Sequence, residues 1–252
     1  MGEERQSPAV RTMRYLRYAI GEIVLVVAGI LIALYINNWN EHRQQLALEI
    51  QYLLALKEEF TSNLESLGET KTRNERNLAA AIELAKHTGP DVPNISEKEF
   101  SRLFYSAVIT EVQYRPGTGI INEIISSGNL SIISNKKLKE ALASLDSLIL
   151  KVRFQENEEV ARERMGLFEL ANKTLSLRKM AADVWGDDRN YDRGKFLDGN
   201  LHLLQSREFD NRLVGFIDTS AFLGLNYYAP LEKQLSEIVR IIDEQLDSDS
   251  KR

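Results

Sequence analysis

One stretch limits this chain more than any other: Ala19 to Ile36 is 18 residues long and carries Glu22 as its only charge. Coiled as an α-helix it measures ~27 Å, close to the ~30 Å hydrocarbon core of a bilayer. A membrane anchor, a cleaved signal peptide and a buried core helix all use runs of this kind. The flanks favour the anchor. Tyr15 and Tyr18 precede the run, and Tyr35 and Trp39 close it, which is the aromatic pattern of two membrane interfaces. The small-x-small site of a signal peptide is missing, because the run ends Ala33-Leu34-Tyr35-Ile36-Asn37. Arg5, Arg11, Arg14 and Arg17 lie before it, and only Arg43 lies in the next twenty residues. The positive-inside rule then puts the N-terminus in the cytoplasm and the bulk of the chain outside. The expected organisation is a basic tail over 1–18, a transmembrane anchor over 19–39 and an extracytoplasmic helical bundle over 40–252. The inner (cytoplasmic) membrane is the expected location, with the lipid bilayer as a partner.

Glu22 has two readings. An intramembrane carboxylate can carry ions or protons, which would make the protein a subunit of an ion-driven envelope machine. One turn from the interface, it can instead reach headgroups and water, in the first turn where the helix dipole favours an anion. Its position near the end of the run favours the interfacial reading. Gly29 and Ala33 form a small-xxx-small pair on which a second transmembrane helix could pack, from another copy or from another membrane protein.

The remainder reads as helical. Apolar residues at Leu46, Ile50, Leu53, Phe60, Leu64, Leu67, Leu78, Ala81 and Ala85 follow spacings of three and four, which predicts a long helix from about 40 to 87. Gly89-Pro90 is expected to stop it, with the glycine at the C-cap. Ser96-Glu97-Lys98-Glu99 opens a short helix as a capping box. A second short helix covers Ile120 to Ser127 and ends at Gly128-Asn129. Ser134 is expected to cap a helix that continues to about Met180, with Leu138, Leu142, Leu145, Ile149 and Val152 on one face. Trp185 to Asn200 reads as a polar loop. The last helical stretch, about Ser206 to Leu246, must kink or split at Pro230. Leu231, Leu235, Ile238 and Ile242 form its apolar stripe. The expected fold is all-α: an N-terminal transmembrane helix followed by an antiparallel bundle of long helices with two short helices.

Site chemistry is sparse. The net charge is −5, and residues 1–40 contribute +1 of it (four Arg against three Glu), leaving −6 on the rest. That balance argues against nucleic acid as a partner. The chain has no cysteine, and its three histidines are far apart, so thiol chemistry is excluded and zinc is not indicated. Arg115-Pro-Gly-Thr-Gly lacks the spacing and the Lys-Ser/Thr ending of a phosphate loop. Asp188, Asn190 and Asp192, followed by Gly194, place oxygens at alternate positions as in the first half of a calcium loop. The glycine falls one residue late, the twelfth position is Gly199 rather than Glu, and Arg189 and Arg193 oppose a cation. A solvated turn-rich loop explains the segment better. The run Glu156-Asn-Glu-Glu-Val-Ala-Arg-Glu-Arg reads as an exposed helix face. Trp185, Tyr227 and Tyr228 read as core before they read as the lining of a ligand pocket. With no nucleophile elbow and no dinucleotide fingerprint, neither an enzyme nor a cofactor is expected.

The segment "YLRYAIGEIVLVVAGILIALYINNWNEHR", followed by "LEIQYLLALKEEF" and later by "IINEIISSGNLSIISNKKLKEAL", resembles an uncharacterised family of single-pass membrane proteins common in Bacteroidota. The resemblance covers roughly a quarter of the chain. It implies a bacterial envelope protein with an N-terminal anchor, Gly21-Glu22 and Asn37-Asn38-Trp39-Asn40 being part of the family pattern. It brings no activity and no catalytic residue. The expected function is a non-enzymatic interaction, scaffold or sensing module, assembled as a homo-oligomer. A ligand-binding receptor domain is the other alternative to the ion-driven machine.

Overall fold

The computed structural model describes residues 8–189, 191–195 and 198–249, with side chains given for all of these except 8–17, 19, 20, 187, 188 and 249. Every regular element among them is helical. The chain divides into two units, Met1–Tyr52 and Leu53–Arg252.

Helix α1 spans Pro8–Ala85 and crosses that division. In the first unit it presents an apolar surface that nothing in the structure covers. Ile23, Val24, Leu25, Val26, Val27, Ile30, Leu31, Ile32, Leu34 and Ile36 are all exposed. This is the one candidate membrane span among the described residues, long and apolar enough to cross a bilayer.

In the second unit α1 buries one stripe: Leu53, Leu56, Phe60, Asn63, Leu67, Thr70, Asn74, Asn77, Ala81 and Leu84. Those positions alternate steps of three and four without interruption, which is a heptad seam. The spacing expected from the sequence drifts off this seam, because Asn63, Thr70, Asn74 and Asn77 are polar. Counting apolar residues alone selects Leu64, Leu78 and Ala85, which lie half-buried beside the seam. The helix ends at Ala85 rather than at a glycine C-cap. Lys86, His87 and Thr88 close it with bonds to carbonyls three residues back, and the Gly89 amide donates instead to the Leu204 carbonyl at 3.0 Å.

Among the described residues seven further α-helices follow: α2 (Glu97–Phe104), α3 (Gly119–Ser126), α4 (Lys136–Phe154), α5 (Ala161–Thr174), α6 (Leu177–Arg189), α7 (Arg207–Leu223) and α8 (Ala229–Asp249). The packed pairs are α2 with α6, α5 with α7 and α4 with α8. Ser96 caps α2 as expected, its hydroxyl accepting the Glu99 amide at 3.1 Å. The cap of α4 is Asn135, not Ser134: its side chain accepts the Leu138 amide at 3.2 Å. The Ser134 hydroxyl accepts a bond from Gln245 of α8. The expected stripes of α4 and α8 are all buried.

The expected single helix from 134 to 180 is broken. Leu175 is extended (φ −108°, ψ 154°), so α5 stops at Thr174 and α6 starts afresh. The buried Asn200 side chain holds the break. It accepts the Ser176 amide at 2.9 Å and donates to the Ser176 carbonyl at 3.2 Å. The expected polar loop from 185 is likewise shorter, since α6 runs through Trp185 to Arg189.

Three π-helical segments interrupt the helices: Tyr105–Ile109 after α2, Gln155–Val160 between α4 and α5, and Gly224–Tyr228 between α7 and α8. The last lies directly before Pro230, the second residue of α8, and the π-turn, in which the Ala229 amide reaches back five residues to the Gly224 carbonyl, accommodates the missing proline amide within a continuous helical backbone.

Candidate functional site

The second and third π-segments, the stretch that follows the first and the polar part of the α1 seam meet around one carboxylate. Glu156, in the second π-segment, is 2% exposed. Its Oε1 accepts two bonds, from the Tyr114 amide at 2.8 Å and from the Tyr228 hydroxyl at 2.6 Å. Tyr228 closes the third π-segment, and Tyr114 lies five residues beyond the end of the first. The Tyr114 hydroxyl in turn donates to the Asn63 carbonyl at 3.3 Å. From α1, Asn74 donates to the Ser220 carbonyl at 3.0 Å and Asn77 to the Thr110 carbonyl at 2.8 Å.

Burial dominates the electrostatics. It pushes the Glu156 carboxyl above the usual carboxylate range, against the bonds from Tyr228 and the Tyr114 amide and the more distant charges of Arg153 and Arg115. Burial also raises the Tyr228 and Tyr114 phenols, and the negative charge on Glu156 adds to it, so both remain neutral hydrogen-bond donors. Glu156 Oε2 and Asn77 Oδ1 are buried without a hydrogen-bond partner. Both residues line a cavity of ≈ 20 Å³, together with Asn74, Thr110, Asn157 and Arg164. A space of that size admits one water-sized molecule and no organic substrate.

Sequence reasoning missed this site. Glu156 was expected on an exposed face, because it opens a run of charged residues. The run is exposed or half-buried at Asn157, Glu158 and Glu159, but Glu156 turns into the core. The signal that could have found it is the heptad spacing of Asn63, Thr70 and Asn77 on α1, a polar seam that needs polar partners opposite it. Of the three aromatics, Tyr228 is core, fully buried, with a polar function. Tyr227 packs edge-on against Phe222 at 5.7 Å, and Trp185 against Tyr105 at 5.5 Å.

The other expected sites resolve individually. The Arg115–Gly119 turn is fastened by α1. The Asn63 carboxamide accepts the Gly117 amide and donates to its carbonyl, both at 2.8 Å. The Glu59 carboxylate accepts the Ile120 and Ile121 amides at 2.8 and 3.2 Å. The first turn of α3 thus already carries an anion, supplied by the chain itself. In the calcium-like segment, Asp188 falls within α6 rather than in a loop, its side chain outside the described residues, and Asn190 lies outside them altogether. Asp192 accepts the Gly194 amide at 2.8 Å and pairs with Arg178 at 2.6 Å. Arg193 pairs with the buried Asp183 at 2.7 Å. Among the described residues no group of three or more His, Asp or Glu side chains is placed to hold a metal ion. Glu22, Gly29, Ala33, Tyr35 and Trp39 are all exposed on α1. A Cβ built on Gly29 meets nothing within 4 Å, and the Arg43 guanidinium lies 5.0 Å over the Trp39 ring.

These features define an all-helical protein with one N-terminal helix long and apolar enough to span a membrane, and a buried polar centre in its second unit. A family model matches residues 22–175, more than half of the chain, and the chain belongs to this family of unknown function (DUF6090). The matched segment includes Glu22, Asn63, Tyr114 and Glu156, whereas Tyr228 lies beyond it. No curated protein and no solved structure matches the chain.

Proposed function

We propose that this is a single-pass protein of the inner membrane, N-terminus in the cytoplasm, whose outer helical unit is a non-enzymatic interaction, scaffold or sensing module that assembles with further copies. The observation that carries the reading is the uncovered apolar surface of α1 over residues 21–36. In water an apolar face of that extent would be covered by protein or lipid. The arginines before it supply the orientation. The cavity beside the buried Glu156 leaves no room for a substrate at that carboxylate, which fits a structural role for this residue. Gly29 and Ala33 offer the close-packing surface for a second anchor helix.

Crosslinking of the full chain in native membranes at native expression tests the assembly. Homo-oligomeric products that weaken when Gly29 and Ala33 are replaced by leucine are expected. Monomers alone would remove the assembly from the reading.

A further inference from the structure

The polar centre has two acceptors without donors. Glu156 Oε2 and Asn77 Oδ1 are both buried and unpartnered, on side chains 2% and 1% exposed. Their other atoms are engaged: Glu156 Oε1 by Tyr114 and Tyr228, Asn77 Nδ2 by the Thr110 carbonyl. Leaving a buried acceptor unsatisfied is costly, and folded proteins rarely tolerate it. Both residues line the same ≈ 20 Å³ cavity. That volume exceeds the ~10–15 Å³ a single water needs.

We propose that this cavity is a binding site for one water molecule, which bridges Glu156 Oε2 and Asn77 Oδ1. The chemistry selects the occupant. It must be water-sized and must form hydrogen bonds in two directions, since two acceptors face it. A cation is disfavoured by Arg164, whose side chain lines the cavity. Water also suits either state of the carboxyl group. It donates to the ionised carboxylate, and it accepts from the protonated one while still donating to Asn77. The bridge joins α1, through Asn77, to the second π-segment, through Glu156. With Tyr228 and Thr110 it completes a connected set of bonds across α1 and the three interrupted helices. The site stands on these residues alone and does not depend on the membrane reading.

The test is a crystal structure of the full chain in detergent, at a resolution that shows ordered water. A peak ~2.7–3.2 Å from both Glu156 Oε2 and Asn77 Oδ1 is expected. Well-ordered side chains with no peak between them, or a direct bond from either atom to a protein donor, would overturn the proposal. Magnetic relaxation dispersion of the solvent gives a second readout by counting long-lived internal waters. The count should fall by one in Asn77→Leu and in Ala161→Val, which adds bulk at a residue lining the cavity and leaves every polar group in place. If Asn77→Leu does not fold, an unchanged count in Ala161→Val overturns the site by itself.

Discussion

The Tyr228 hydroxyl donates to Glu156 Oε1 at 2.6 Å and joins two π-helical segments whose residues lie 72 positions apart. A π-turn shifts the side chains that follow it relative to an α-helix and is a common device for aiming a residue at a site. Here two of them bring a phenol and a carboxyl group together inside the core, where burial raises the cost of ionising both, the carboxylate adds to the cost for the phenol, and the phenol's hydrogen bond partly offsets it for the carboxyl group.

The first prediction concerns pH. Burial holds the Glu156 carboxyl above its unfolded value of 4.5, so the folded chain binds this proton more tightly than the unfolded chain does. The resulting contribution to stability is complete below pH ~4.5 and is lost as pH rises through the folded value. Glu156→Gln keeps an acceptor for Tyr114 and Tyr228 and cannot ionise. Urea midpoints followed by far-UV circular dichroism should show this variant gaining on the parent as pH rises through that window. Parallel curves for the two proteins would show that Glu156 does not titrate differently on folding.

Tyr228→Phe removes one donor and leaves the ring in place. The expected loss is about 1–3 kcal/mol in denaturant unfolding. Because the lost bond favoured the ionised carboxylate, the pH-dependent loss of stability should also move to higher pH. The effects of Tyr228→Phe and Glu156→Gln should not add, since the two residues share one bond.

The Asn63 carboxamide satisfies both backbone groups of Gly117, so Asn63→Leu tests whether the polar seam of α1 is structural. The substitution makes the heptad more apolar, and by pattern alone it should stabilise the helix packing. The expected result is the opposite, a loss of about 0.5–1.5 kcal/mol for each of the two hydrogen bonds removed, measured as a lower urea midpoint.

Gly128 ends α3 with φ +74°, and a Cβ there would meet nothing within 4 Å. Gly128→Ala should therefore cost only the backbone strain of the left-handed region, about 1 kcal/mol, without altering the pH dependence.

Much of the fold is legible in the sequence where burial and apolarity coincide. The stripes of α4 and α8 have an apolar residue at nearly every buried position, and both are read correctly from spacing. Legibility fails where the buried face is polar. Asn63, Thr70, Asn74 and Asn77 carry the α1 seam through its middle, and a count of apolar residues slides off them. Glu156 fails for a related reason: inside a charged run, nothing local distinguishes the one charged residue that is buried. The π-segments carry no residue signature either, because the extra residue is accommodated by tertiary contacts. The α5–α6 break depends on Asn200, some two dozen residues away, whose carboxamide replaces the helical partners of Ser176. The apolar run of α1 is the converse case. Its surface is uncovered although nearly every residue on it is apolar.

That surface is where the account is tested most directly. Membranes from cells making the full chain, tagged at both ends, can be washed with alkaline carbonate and then exposed to protease with and without permeabilisation of the outer membrane. The account predicts that the chain stays in the membrane pellet with both tags on one polypeptide. It predicts that the C-terminal tag is digested once the outer membrane is opened, while the N-terminal tag is protected. Release of the chain into the carbonate supernatant, or loss of the N-terminal tag by cleavage after the apolar run, would contradict it.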